Sequence, residues 1–208
     1  MKYYLSSFKI GNEELDLKRI TDNGNKKVAF INNALDFATD LVRKKKSDAM
    51  DASDLERLGF HVDILDLKNY FNNPKELERT LEDYDVIWTR GGNTFVLAQA
   101  MKLSGFDEII KKYHKVGKNV VYGGYSAGIC VLGPTLRGIH LVDDPTQKPY
   151  GDQHHTVWEG LNILDYVIAP HYKSNHAESE DIDKVVEYLI ENKILFKVLK
   201  DGEAIIIE

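Results

Sequence analysis

The stretch Asn119-Val120-Val121-Tyr122-Gly123-Gly124-Tyr125-Ser126-Ala127-Gly128-Ile129-Cys130 constrains this chain more than any other. β-Branched apolar residues lead into a glycine pair, then one serine, then a further glycine. Gly124-Tyr125-Ser126-Ala127-Gly128 fits the G-x-S-x-G pattern, in which a serine sits on a sharp turn between a strand and a helix. Small residues two places before and after the serine let such a turn pack without clashes. The helix that follows would aim its unpaired N–H groups at the same spot, where an oxyanion can be held.

The rest of the chain supplies a context for that turn. Apolar strand patterns at Lys27–Ile31, His61–Leu67, Tyr84–Thr89 and Leu164–Ala169 alternate with helical patterns. The helical patterns run from Ser53 to a stop at Gly59, from Asn73-Pro74, over Val96–Lys102, over Phe106–His114 and over Asp181–Glu191. Lys2–Ser7 reads as a first strand, Asn23-Gly24-Asn25 as a turn, and Ala34–Lys46 as loop passing into helix. Asp201-Gly202, flanked by Phe196–Leu199 and Glu203–Ile207, carries a two-residue hairpin signal. Strands alternating with helices predict a three-layer α/β sandwich, a mostly parallel central sheet covered on both faces, with the hairpin as an antiparallel edge. No linker or internal repeat divides residues 1–208, so one domain is expected.

Composition narrows the function classes. The net charge of −6 argues against nonspecific nucleic-acid binding. The basic run Arg43-Lys44-Lys45-Lys46 reads as a solvated helix end. The lone Cys130 excludes an internal disulfide and fits a reducing, cytoplasmic compartment. The N-terminus is too short in apolar length for a signal peptide, and no run approaches membrane-spanning length. Nothing calls for a cofactor. Asp152, His154 and His155 could suggest a metal, but adjacent histidines point apart in extended chain and no further ligand spacing supports one.

In open α/β sheets, sites lie beyond the carboxyl ends of strands. Gly91-Gly92-Asn93, Ser126 and His171 all fall there. A serine hydroxyl needs a base within hydrogen-bond reach, and the base needs an orienting acid. His171, which follows a strand and Pro170, is the candidate base. His61 and His114 read as surface or packed residues, and His176 as solvated. Asp143 is the candidate acid, Asp144 the next, with Glu178 or Glu180 competing. The N–H groups of Ala127 and Gly92 are the candidate oxyanion donors.

Arg90-Gly91-Gly92-Asn93-Thr94-Phe95, Gly124-Tyr125-Ser126-Ala127-Gly128, Pro134-Thr135-Leu136-Arg137 and Pro170-His171-Tyr172 together resemble the dipeptidase E and cyanophycinase family of serine peptidases, from about Val28 to the end. The resemblance implies a class I glutamine-amidotransferase-like fold with serine in place of the usual cysteine nucleophile. It implies an intracellular exopeptidase acting on small peptides with an N-terminal aspartate-like residue; separately, a monomer or homodimer is expected. It also maps the family's acid onto Asp143 of Asp143-Asp144-Pro145. An aspartyl substrate needs a cation to meet its carboxylate, and Arg90, Arg137 and Lys173 are the candidates, with Asn93 nearby. Three other readings compete. They are an esterase or amidase with the same triad order, a non-catalytic binding protein on the same scaffold, and a thiol enzyme using Cys130. The last is disfavoured because Cys130, one helical turn past Ser126, would face the core.

Overall fold

The computed structural model describes residues 1–22, 26–151 and 155–208. The chain runs β1 (Lys2–Ser6), α1 (Glu14–Ile20), β2 (Lys27–Ile31), α2 (Leu41–Arg57), β3 (His61–Ile64), α3 (Pro74–Leu81), β4 (Val86–Thr89), α4 (Thr94–Ser104), α5 (Phe106–Lys115), β5 (Val121–Tyr125), α6 (Ala127–Cys130), β6 (Val167–Ala169), α7 (Ser179–Glu191), β7 (Phe196–Val198) and β8 (Ala204–Ile207). The expected turn at Asn23-Gly24-Asn25 lies outside the described residues, as do Asp152 and His154.

Six strands form the central sheet in the order β3-β2-β4-β5-β1-β8. The first five are parallel, and β8 pairs antiparallel with β1 at the edge. Side chains on successive strand residues point to opposite faces, and the strands obey that period. Tyr3, Leu5, Ala29, Ile31, Ile87 and Tyr122 enter one core with the apolar faces of α3, α4 and α5. Tyr4, Val28, Phe30, Val86, Trp88 and Val121 enter the other, against Leu17 and Ile20 of α1 and Leu55 of α2. The three-layer α/β arrangement expected from the alternation is thus present. The ambiguous region resolves into a short 3₁₀ turn at Asn33–Leu35, then α2, whose start is capped by the Asp40 carboxylate accepting the Arg43 N–H at 2.9 Å.

The C-terminal hairpin is replaced by something else. Asp201-Gly202 does reverse the chain, with the Glu203 N–H donating to the Lys200 carbonyl at 2.9 Å. The strands on either side part company, however. β7 runs parallel to β6 in a separate two-stranded sheet, while β8 joins the central sheet. The turn therefore bridges two sheets, and its signal is the same as a hairpin's because turn chemistry is local and strand pairing is not.

Among the described residues, no helix is long and apolar enough to cross a membrane.

Candidate active site

β5 delivers Ser126 at its carboxyl end. Ser126 has φ 49° and ψ −118°, an unfavourable conformation for a residue with a Cβ. Its glycine neighbours make the turn possible by proximity. A Cβ on Gly124 would lie 2.3 Å from the Thr89 carbonyl oxygen, and one on Gly128 would lie 2.1 Å from the same atom. The serine turn is thus pressed directly onto the end of β4. Ala127 is the first residue of α6, so its N–H has no acceptor within the helix. Gly91-Gly92, just beyond β4, flanks the serine; a Cβ on Gly91 would lie 2.9 Å from the Ser126 Cβ. Gly92 has φ 142° and lies against the Ala34 carbonyl, where a Cβ would approach to 2.5 Å.

The candidate base arrives from the small sheet. Ala169 pairs with Val198 in the parallel β6–β7 register, and the ladder continues as Leu199 N–H to Ala169 O and Tyr172 N–H to Leu199 O, both at 3.0 Å. The two strand ends therefore emerge side by side, carrying His171 and Asp201. His171 is 1% exposed, with φ 61°. Its Nδ1 lies 2.7 Å from Asp201 Oδ1. Ser7, at the end of β1, ties this pair to the central sheet. Its hydroxyl accepts the His171 backbone N–H at 2.8 Å and donates to Asp201 Oδ1 at 2.9 Å. The Asp201 N–H in turn donates to Ser174 Oγ at 2.8 Å.

The carboxylate beside His171 is thus Asp201 and not Asp143, the acid expected from the sequence. Asp143 makes no contact with His171; its Oδ2 accepts the Thr94 N–H at the start of α4, at 2.8 Å. Burial pushes the Asp143 carboxyl up to about 6, against the Thr94 hydrogen bonding. Asp144 is exposed and caps its own turn, accepting from Thr146 and Gln147. Glu180 is exposed. Glu178 does reach the site, but on the other side of the imidazole, with Oε2 3.9 Å from His171 Nε2. Asp201 was hidden in the sequence because its Asp-Gly dipeptide already had an explanation as a turn. The visible clue is that it, like His171, follows the carboxyl end of a strand.

Ser126, Gly91, Gly92, His171, His176, Glu178 and Arg90 line one open pocket of about 150 Å³, together with Phe8, Leu35 and Tyr125. His176, expected to be solvated, stacks on His171 with ring centroids 3.8 Å apart and planes 9° apart. Phe8 stands edge-on to both rings. Burial pulls His171 below the ordinary imidazole value, Asp201 opposing and His176 reinforcing the shift. The shift favours the neutral imidazole, the form in which one ring nitrogen can accept a proton. Burial likewise raises Glu178, with Asp201 and Asp181 adding to it.

His171, His176 and Glu178 bring one ligand atom each within 4.8 Å, among the described residues. The stack argues against a shared ion. Imidazole lone pairs lie in the ring plane, and no ion can lie in two parallel planes stacked this way.

The polar residues expected to bind substrate are mostly committed elsewhere. Arg137 is exposed and sits over the Trp158 ring, 5.1 Å from its centroid, away from the pocket. Asn93 caps α4, its Oδ1 accepting from Phe95 and Val96, while its Nδ2 donates to the Asp144 carbonyl at 2.9 Å. With Gln99, whose Nε2 donates to the Gln147 carbonyl at 2.7 Å, it fastens the loop that follows Leu141 onto α4. Exposed Lys173 lies over Tyr172. Arg90 lines the pocket yet is buried in a network the sequence did not reveal. Its guanidinium pairs with Asp48 and with Asp51 at 3.3 Å, and its Nε donates to the Gly91 carbonyl at 3.2 Å. Tyr125 OH donates to Asp51 at 2.6 Å. Asp48, Asp51 and Leu55 share the buried face of α2; two acids on an otherwise core-facing stripe were the available signal. Cys130 faces the core, its thiol against the Ile168 carbonyl and raised well above its ordinary value by burial, as its place in the helix suggested.

A strained serine, a histidine held by a carboxylate, and glycine-rich backbone beside them are the parts a serine-type hydrolase uses, set at the edge of an α/β sheet. The profile of peptidase family S51 matches residues 8–208, and the chain belongs to that family of serine peptidases. An uncharacterized peptidase of Listeria monocytogenes is 32% identical over 67% of this chain and 64% of its own length. Peptidase E of a Nostoc species is 27% identical over 98% of this chain and 80% of its own length. The crystal structure of a putative peptidase E from Listeria monocytogenes superposes with a TM-score of 0.75 at 27% identity, covering 99% of this chain and 93% of that one. The matches span about half to two thirds of the two Listeria relatives' lengths, 54% in Listeria innocua and 64% in Listeria monocytogenes. The fold is that of the class I glutamine-amidotransferase-like peptidases.

Proposed function

We propose that residues 1–208 act as one peptidase domain that hydrolyses short peptides as an exopeptidase, with Ser126 as nucleophile, His171 as base and Asp201 as the acid that orients it. His171 Nε2 takes the proton as Ser126 Oγ attacks the carbonyl carbon. The Gly92 and Ala127 N–H groups receive the oxyanion. The imidazolium then returns its proton to the leaving amine, and the acyl-serine is released by water activated at the same nitrogen. Asp201 fixes the tautomer with Nδ1–H toward itself and stabilises the transient imidazolium. Asp143 has no part in this scheme. The observation that carries the reading is the His171–Asp201 pair at 2.7 Å, with His171 lining the pocket that also holds the strained Ser126. A substrate with an N-terminal aspartate is the class that the resemblance suggests.

The test is hydrolysis of a panel of dipeptides and amino-acid arylamides by wild type and Ser126→Ala. Cleavage by wild type that falls at least about a thousandfold in the variant supports the scheme. A fully active variant overturns it.

A further inference from the structure

The charges in the Ser126 pocket point away from an acidic substrate. Arg90 is the one lysine or arginine in its lining among the described residues, and both Asp48 and Asp51 already hold it. Its side chain is 6% exposed. Glu178 is the opposite case. Its side chain is 41% exposed, and among the described residues no lysine or arginine pairs with it. Its carboxylate adjoins the two stacked imidazoles, 3.9 Å from His171 Nε2 and 4.0 Å from His176 Nδ1. The Glu178 backbone N–H donates to that His176 Nδ1 at 3.2 Å, so the ring accepts there and carries no donor toward the carboxylate.

We propose that Glu178 binds the free α-ammonium group of the substrate's N-terminal residue, and that this residue is neutral rather than acidic. The inference rests on the serine-peptidase reading and deepens it. Position selects the α-amino group over a basic side chain. The carbonyl carbon must sit against Ser126 Oγ, whose proton passes to His171 Nε2. The α-nitrogen is two bonds from that carbon, about 2.5 Å away by standard backbone dimensions. A carboxylate beside Nε2 is within reach of that nitrogen and too near for the tip of a lysine or arginine. An aspartate there would set a second carboxylate beside Glu178, with no uncommitted lysine or arginine in the lining among the described residues to receive it. Phe8, Leu35 and Tyr125 offer apolar walls for an uncharged side chain.

Binding of Ala-Leu, N-acetyl-Ala-Leu and Asp-Leu to Ser126→Ala is measured by calorimetry, and turnover of the same peptides by wild type and Glu178→Gln. Acetylation is expected to weaken binding at least about thirtyfold, the scale of a lost charge-assisted contact. Asp-Leu is expected to bind at least about tenfold more weakly than Ala-Leu. Glu178→Gln should shrink the ratio between free and acetylated peptide severalfold or more. Tighter binding of Asp-Leu, equal binding of the acetylated peptide, or no binding of Ala-Leu overturns the proposal. So does an equal loss on every peptide in Glu178→Gln, which would make Glu178 a stabiliser of the imidazolium instead. Failure of the serine reading itself is seen separately, as turnover that survives in Ser126→Ala.

Discussion

Replacing Asp201 with asparagine separates the acid found beside His171 from the one the sequence suggested. Asp201 Oδ1 receives two hydrogen bonds, from His171 Nδ1–H at 2.7 Å and from Ser7 Oγ–H at 2.9 Å. An asparagine of the same shape can turn its NH₂ toward Nδ1. The ring then carries its proton on Nε2, where the lone pair that should accept the serine proton is lost. In the trypsin-type triad this change costs about 10⁴-fold in kcat, near 5.5 kcal/mol at about 1.36 kcal/mol per decade. Asp201 is 23% exposed, so water can partly replace it, and a loss of about 10³- to 10⁴-fold is expected here. The assay is kcat/KM on the best dipeptide, with circular dichroism and thermal unfolding to show an intact fold. Asp143→Asn, assayed in parallel, should keep activity within about tenfold, since it lies outside the relay. A second readout follows from charge. kcat/KM rises with pH as His171 loses its proton, and burial already holds that group below the ordinary imidazole value. Asp201 opposes the shift, so Asp201→Asn should move the acid limb to still lower pH. A folded Asp201→Asn enzyme with more than about a tenth of wild-type activity, or a larger loss in Asp143→Asn, would refute the assignment.

Two further outcomes concern stability. The Asp143 carboxyl is raised to about 6 in the folded protein, so the folded state holds its proton more tightly than the unfolded one. Its contribution is complete below about pH 4 and is lost as pH rises through about 6. Asp143→Asn, which can still accept the Thr94 N–H, should therefore be more stable than wild type at pH 7 by on the order of 1–3 kcal/mol, and the gain should vanish toward pH 4. Urea unfolding across that range checks it; a variant less stable at pH 7 contradicts it. Gly128→Ala would place a Cβ 2.1 Å from the Thr89 carbonyl oxygen, backbone that cannot turn aside. It should cost at least about 3 kcal/mol in urea unfolding, and a near-neutral result would mean the turn has slack that its packing denies.

The middle of the central sheet was legible because β1, β2, β4 and β5 are buried on both faces and read as apolar runs. The serine turn was legible because close backbone packing leaves glycine few substitutes. His171 followed from a rule about strand ends. What escaped depended on pairing between distant segments. The turn at Asp201-Gly202 looks the same whether its strands join each other or two different sheets, and only the second choice carries Asp201 to His171. The buried acids of α2 escaped for a similar reason: Arg90, which makes them tolerable, lies 42 residues from Asp48 in the chain. His176 gave no sign of its stack because a histidine six or so residues into a polar loop looks solvated until the loop is folded.

The two-sheet layout divides the proposed machinery between separately built parts. The nucleophile and the glycine loop hang on the central sheet, and the base and its acid hang on the β6–β7 pair. Ser7 joins them through two hydrogen bonds. The small sheet is no loose flap, however. Val167, Ile168 and Ala169 of β6 are fully buried in the larger core and lie against α6, the helix that begins just after Ser126. Parting the two sheets would expose that core as well as break the proposed alignment. Inactivation and unfolding are therefore expected to come in one transition.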